Sequence, residues 1–225
     1  MFPALLSYVF VTMAPGQETL NATPNSATPI IVDPLRQEVR ILAKYQPGQF
    51  SGFLRFVPNY HLLVWSDGKA AREALFATSV PDTTFIAALE RAGAVAGNNL
   101  TMDAWDKRKD AKHPAPQTKI AGTPVEILVW WKDNARGELS ESKPLAELLD
   151  DPGGRGLDFR FGGNRDLIQH WHSGCLVCLY SCPGAKVGNA AYTVRDYTTG
   201  ATKFTPRQDR LPKSGSEVVM IFRVQ

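Results

Sequence analysis

All three cysteines of this 225-residue chain fall within eight residues, at Cys175, Cys178 and Cys182. The spacing is Cys-x2-Cys-x3-Cys, and Pro183 follows directly. Three thiols are too few for a disulfide scaffold, and they sit too close together for scattered core cysteines. Two thiolates separated by two residues can point at one metal ion, because a tight turn brings their sulfurs together. The approach is rich in glycine: Asp150 to Asn164 holds five. Its spacing matches neither Gly-x-Gly-x-x-Gly after a strand nor a P-loop, so it reads as a turn-rich lead-in to the cysteines rather than a nucleotide site.

The cysteine run leaves several chemistries open. Cys175, Cys178, Cys182 and Pro183 resemble the last three cysteines and the proline of the bacterial ferredoxin run C-x2-C-x2-C-x3-C-P. The first ligand position of that run falls on His172, and no second cysteine run exists. A three-cysteine, one-histidine set of Cys175, Cys178, Cys182 and His172 would suit an iron–sulfur cluster or zinc. Cys178-x3-Cys182-Pro183 also resembles the C-x3-C-P site of exported copper chaperones, and soft thiolates with an imidazole suit copper. Those chaperones have a thioredoxin-type fold, which the pattern here does not show. The third reading is a disulfide between two cysteines with one thiol left over, structural or redox-active. His61 and His113 reach the site only through tertiary contact. Arg165 and Lys186 would lower thiol pKa values if they lie close. Trp171 and Tyr180 read as packing.

The amino-terminal end bears on compartment. An apolar run of about a dozen residues to Met13 is too short for a membrane span and suits a signal-peptide core. It lacks a basic start and a clean Ala-x-Ala site. Ala14 to Thr28 is small, polar and without period, as in a linker. Residues 1–28 are therefore expected to be a leader, cleaved or used as an anchor, with a flexible linker. The protein is expected outside the cytoplasm, in the periplasm or at the cell surface, where thiols can pair. The net charge of +3 is too mild to point to nucleic acid. A redox or membrane-associated partner is the expectation instead.

From about residue 29 to 225 the pattern is that of one α+β domain, with a mainly antiparallel sheet and a few short helices. Strands are expected at 29–33, 38–43, 60–65, 124–131, 190–196 and 217–224. Val39, Ile41 and Ala43 alternate as on one face of a half-buried strand. Helices are expected at 69–76, 81–92 and 143–149. The clearest is 81–92, where Phe85, Ala88, Leu89 and Ala92 make one apolar stripe and Gly93 stops it. The charged, Pro-containing stretch 101–123 and the segment 132–137 read as loop and turn.

Two runs together are similar to one family. They are Phe161-Gly-Gly-Asn-Arg165 and Ser173-Gly-Cys-Leu-Val-Cys-Leu-Tyr-Ser-Cys-Pro-Gly-Ala-Lys-Val-Gly-Asn-Ala-Ala-Tyr-Thr-Val194. Both resemble the YdjY family of bacterial proteins, as do Ala74–Pro81 and Phe85–Ala94 upstream. The resemblance spans about residues 29–225 and implies an exported protein with a ferredoxin-type cysteine run. The expected function is metal or iron–sulfur binding, with electron transfer as its use. The alternatives are a non-enzymatic accessory domain with a structural or redox disulfide, and a thiolate copper-handling site. No Gly-x-Ser-x-Gly, His-Glu-x-x-His or paired carboxylates suggest a hydrolase, and Asp150-Asp151 reads as loop.

Overall fold

The computed structural model describes residues 22–50, 60–114, 116–132 and 142–225. The expected leader, most of the linker and most of the turn at 132–137 lie outside the described residues. The chain forms β1 (Ile30–Asp33), β2 (Glu38–Tyr45), α1 (Pro47–Phe50), β3 (His61–Trp65), β4 (Phe76–Thr78) and α2 (Asp82–Arg91). It continues through α3 (Asp103–Asp106), β5 (Val125–Trp130), β6 (Lys143–Pro144), β7 (Leu149–Asp150), β8 (Phe159–Phe161) and α4 (Ile168–Trp171). The last elements are β9 (Cys175–Cys178), β10 (Val187–Asn189), α5 (Val194–Thr199), β11 (Thr205–Pro206) and β12 (Glu217–Val224). Among the described residues no helix is long and apolar enough to cross a membrane.

The architecture is α+β, with most of the regular structure in one ten-stranded sheet. Its order is β6-β5-β12-β2-β4-β3-β9-β10-β8, with β1 beside β2. The sheet is mixed, because β3–β4 and β9–β10 run parallel. It also curls. Pro124, just before β5, bridges Arg160 in β8, and the Phe161 amide donates to the Thr123 carbonyl at 2.9 Å. The two distant flanks of the order therefore meet. Alternation predicts which side chains fill the curl: Val39, Ile41 and Ala43 of β2 and Val218, Met220 and Phe222 of β12 are all buried. The stripe of α2 packs onto them, with Phe85 edge-on to Phe222 at 4.9 Å.

Several expectations are corrected. The stretch 69–76 is not a helix: it holds a single 3₁₀ turn at Ala71–Glu73, and Phe76 opens β4. The Lys69 and Ala70 amides donate to the carbonyls of His172 and Ser173, and Phe76 pairs with Tyr45 of β2 and Leu63 of β3, which draws the segment into the sheet. The stretch 143–149 is likewise one 3₁₀ turn between two short strands, although Leu145, Leu148 and Leu149 point inward as expected. Residues 190–196 do not form a strand. Thr193 and Asp196 make a reciprocal capping box, and α5 starts there and ends at left-handed Gly200. The 101–123 loop contains the short helix α3. Asp151 anchors the Gly-rich lead-in, accepting from Tyr192 Oη at 2.7 Å, Thr202 Oγ1 at 2.6 Å and the Gly156 amide at 2.8 Å.

Two glycines bring the loop after β3 against the entry to β9. A Cβ on Gly68 would lie 2.4 Å from the Ser173 carbonyl oxygen. One on Gly174 would lie 2.7 Å from the Gly68 Cα, and Gly174 has a φ of +68°. Gly174→Ala is therefore expected to destabilise the fold by about 1–3 kcal/mol through backbone strain and this overlap. Chemical denaturation would measure it, and an unchanged midpoint would contradict the close approach.

Candidate thiolate site

The strand β9 is buried throughout and lies between β3 and β10. In a regular strand Cys175 and Cys178, three residues apart, would face opposite sides of the sheet. Here the pairing with β3 slips twice: His61 sits opposite Cys178, Leu63 opposite Val177, and Val64 opposite Cys175. At this irregularity Cys175 Sγ lies 3.5 Å from the Val177 carbonyl oxygen, with the Cys178 thiol close enough to shift its pKa. The chain then crosses from β9 to the parallel strand β10 in only residues 179–186. This crossover carries Cys182, whose sulfur also meets Cys178, and Lys186. All three cysteines are unpaired, buried thiols.

The charge balance differs between neighbouring thiols. The hydrogen bond from Cys178 is the strongest influence on Cys175 and lowers its pKa. Burial opposes it. The charge and hydrogen bond of His61 and the charge of Lys186 lower it further, to about 5. His61 Nδ1 lies 3.2 Å from Cys175 Sγ, and with its proton on Nδ1 the imidazole donates to the thiolate. Cys178 moves the opposite way: burial, then its contacts with Cys175 and Cys182, push it well above the ordinary thiol value. The two neighbouring thiols are thus shifted in opposite directions, Cys175 toward the thiolate and Cys178 toward the thiol.

Lys186 is only 1 % exposed. Its Nζ donates to the Gly184 carbonyl at 2.9 Å. Burial lowers its pKa, against the charges of Asp82, Cys175 and Cys182. Burial likewise raises the pKa of Tyr60 and Tyr180, so both phenols stay protonated beside the thiols.

A cavity of about 320 Å³ opens beside the cysteines. Cys175 and Cys182 line it, with Tyr60, His61, Trp105 and Trp171. Cys178 is wholly buried. Trp171 is therefore a wall of the cavity, whereas Tyr180 packs in the core. Among the described residues, no three or more His, Cys, Asp or Glu side chains form a ready cation cage.

Of the residues singled out in the sequence, Cys175, Cys178 and Cys182 come together. His172 is exposed at the left-handed end of α4, where its carbonyl accepts from the Lys69 amide at 3.0 Å. The imidazole in contact with a thiol belongs to His61. Arg165 pairs with Glu90 at 3.0 Å, and His113 with Asp110 at 3.4 Å. Trp105 was not legible as a site residue. His61 carried one signal, a lone polar residue heading the apolar strand His-Leu-Leu-Val-Trp.

The YdjY domain family matches residues 30–223, nearly all of the chain beyond the linker. The chain belongs to the YdjY family. It is 30 % identical over 201 residues to the uncharacterised protein YdjY of Escherichia coli (strain K12), covering 89 % of this chain and 80 % of that protein. No solved structure matches it. The YdjY domain therefore spans the curled sheet, α2 and the whole cysteine crossover.

The charge balance predicts reactivity. Alkylation of Cys175, followed by peptide mass mapping, should rise through pH about 5 and stay level at neutral pH. Lys186→Met and His61→Ala should each move the inflection toward about 8.5, the ordinary thiol value. The rate at pH 7 then falls about tenfold for each unit by which the pKa exceeds the pH. Because folding lowers the Cys175 pKa, its stabilising contribution is full above the unfolded value. It is lost progressively as pH falls to about 5.

Proposed function

We propose that this YdjY-family chain is a thiol redox protein that works through Cys175 and Cys178. The observation that carries the reading is the His61 Nδ1 at 3.2 Å from Cys175 Sγ, beside a second buried thiol whose pKa is shifted the opposite way. Oxidation would form the Cys175–Cys178 disulfide, release two electrons and the Cys178 proton, and leave Cys182 as the third thiol. The sulfurs are unbonded in this geometry, so closure needs a shift of the irregular backbone around β9. His61 is placed to hold the thiolate and to exchange a proton with it. Export fits the reading, since an oxidising compartment would turn such a pair over.

A second reading is favoured by the third thiol, which a dithiol couple does not require. Cys175, Cys178 and Cys182 would ligate a soft metal, zinc or copper, or an iron–sulfur centre, with electron transfer as the use of the last. His61 would replace His172 as the fourth ligand, because it already touches a thiol. A thiolate formed before binding suits ligation, since metals bind the deprotonated form.

One preparation separates the readings. The protein is purified without oxygen, its iron, zinc and copper are counted, and its visible absorption is recorded. It is then equilibrated in dithiothreitol redox buffers and mass-mapped. A colourless, metal-free protein that reversibly joins Cys175 to Cys178 supports the redox pair. Stoichiometric metal or cluster absorption overturns it in favour of ligation. A bridge that yields to reductant only on unfolding overturns both and leaves a structural staple.

A further inference from the structure

The thiol pair accounts for the sulfurs and not for the aromatic cavity beside them. The geometry points to a subsite there for a small, uncharged, planar electron acceptor of the quinone class. The inference rests on the redox reading and names its oxidant.

The walls are the first reason. Trp105 and Trp171 meet edge-on at 5.1 Å, and Tyr60 meets Trp105 edge-on at 6.2 Å. A flat π-system gains both stacking and edge contacts against such a wall. Size is the second. A space of about 320 Å³ admits one or two fused rings, and lies at the low end of small-molecule pockets. Charge is the third. The ionic groups at the cavity besides the imidazole and thiols are Lys69 and Glu73, one of each sign, so nothing there selects a phosphate or a carboxylate.

Reach decides between a small molecule and a protein partner. Cys175 is 2 % exposed and Cys182 4 %. The disulfide of a folded partner cannot bring its sulfur into line with a thiolate so deeply recessed. A flat ring seated in the cavity needs no such approach, because Cys175 and Trp105 line the same space. The wall is also held in place: a Cβ on Gly184 would lie 2.2 Å from Trp171 Cε3, so only glycine leaves the indole where it is.

The chemistry balances. The Cys175 thiolate and the Cys178 thiol form one S–S bond, and the S–H bond of Cys178 breaks. Two electrons pass to the quinone, whose two carbonyl oxygens become hydroxyls. One of the two protons comes from Cys178 and the other from solvent by way of His61. The product is the hydroquinone.

Duroquinone is the probe, because its four ring methyls block addition of a thiol to the ring. With the Cys175→Ser/Cys178→Ser chain, tryptophan fluorescence should quench to saturation at one duroquinone per chain. Trp105→Ala should weaken binding about tenfold or more while Trp105→Phe retains it. The phenylalanine variant guards against a folding defect. With the anaerobic wild-type chain, one duroquinone should be reduced per chain as Cys175 and Cys178 become linked. Quenching that does not saturate, or that ignores Trp105→Ala, overturns the subsite. If the pair then still titrates in dithiothreitol buffers, the redox reading survives alone. Saturable binding without electron transfer also overturns the assignment of the occupant as oxidant. If the pair also fails to titrate in dithiothreitol, the fault lies with the redox reading.

Discussion

The contact of the His61 imidazole with the buried Cys175 sulfur, 3.2 Å from Nδ1 to Sγ, is the interaction around which the site is arranged. An anion removed from water is tolerated only when hydrogen bonds and opposite charge replace its hydration. Cys178 on the same strand, His61 from β3 and the charge of Lys186 from the crossover all lower the Cys175 pKa. Lys186 would itself be untenable alone at 1 % exposure. The Gly184 carbonyl and the charge of Asp82 on α2 offset its burial. The thiolate form of Cys175 is thus favoured by groups drawn from four separate parts of the fold.

Backbone geometry makes that convergence possible. A parallel pair of strands normally needs a connection of about a dozen residues or more. Here β9 and β10 are joined by 179–186 alone, so the connection stays folded tightly over the strand ends. Ser181 fastens it, accepting from the Ile120 amide at 2.9 Å and donating to the Asn189 carbonyl at 3.1 Å. On the other side, the contact of Gly68 with Gly174 fixes where β9 begins. The bonds from the Lys69 and Ala70 amides hold the same junction. The segments flanking the thiols are thus tied down at the crossover and at the entry to β9.

What was legible in the sequence follows from what is local. The stripe of α2 and the alternation of β2 are periodic patterns, and both elements lie where those patterns place them. The strand β12 matches its apolar run from Glu217 to Val224. By contrast, β8 and β10 are three residues each, and two of the six residues at Val187–Asn189 and Phe159–Phe161 are Gly188 and the charged Arg160. Such pieces are strands only because neighbours pair with them. The same applies to 69–76, whose helix formers lost to the pairing of Phe76 between β2 and β3. At the site, the thiols were visible from their spacing. His61 lies 114 positions from Cys175, and only the β3–β9 pairing brings them together.

The unequal thiols also set the direction in which such a pair would run. Whatever stabilises the Cys175 thiolate stabilises the reduced form, and so raises the reduction potential of the couple. His61 and Lys186 therefore make electrons harder to remove, not easier. A weak acceptor would leave the pair reduced, whereas a strong two-electron acceptor would still draw from it. In the oxidised form Cys175, as the more acidic thiol, is the better leaving group, so a reductant would attack the Cys178 sulfur. That sulfur is fully buried, whereas Cys175 lines the cavity. In such a couple electrons would leave through the cavity at Cys175, whereas a bulky thiol would be kept from the Cys178 sulfur that leaving-group chemistry prefers. The recessed Cys178 thus favours an acceptor that enters the cavity over exchange with a large thiol partner, and it ties the charge balance of the thiols to the shape of the space beside them.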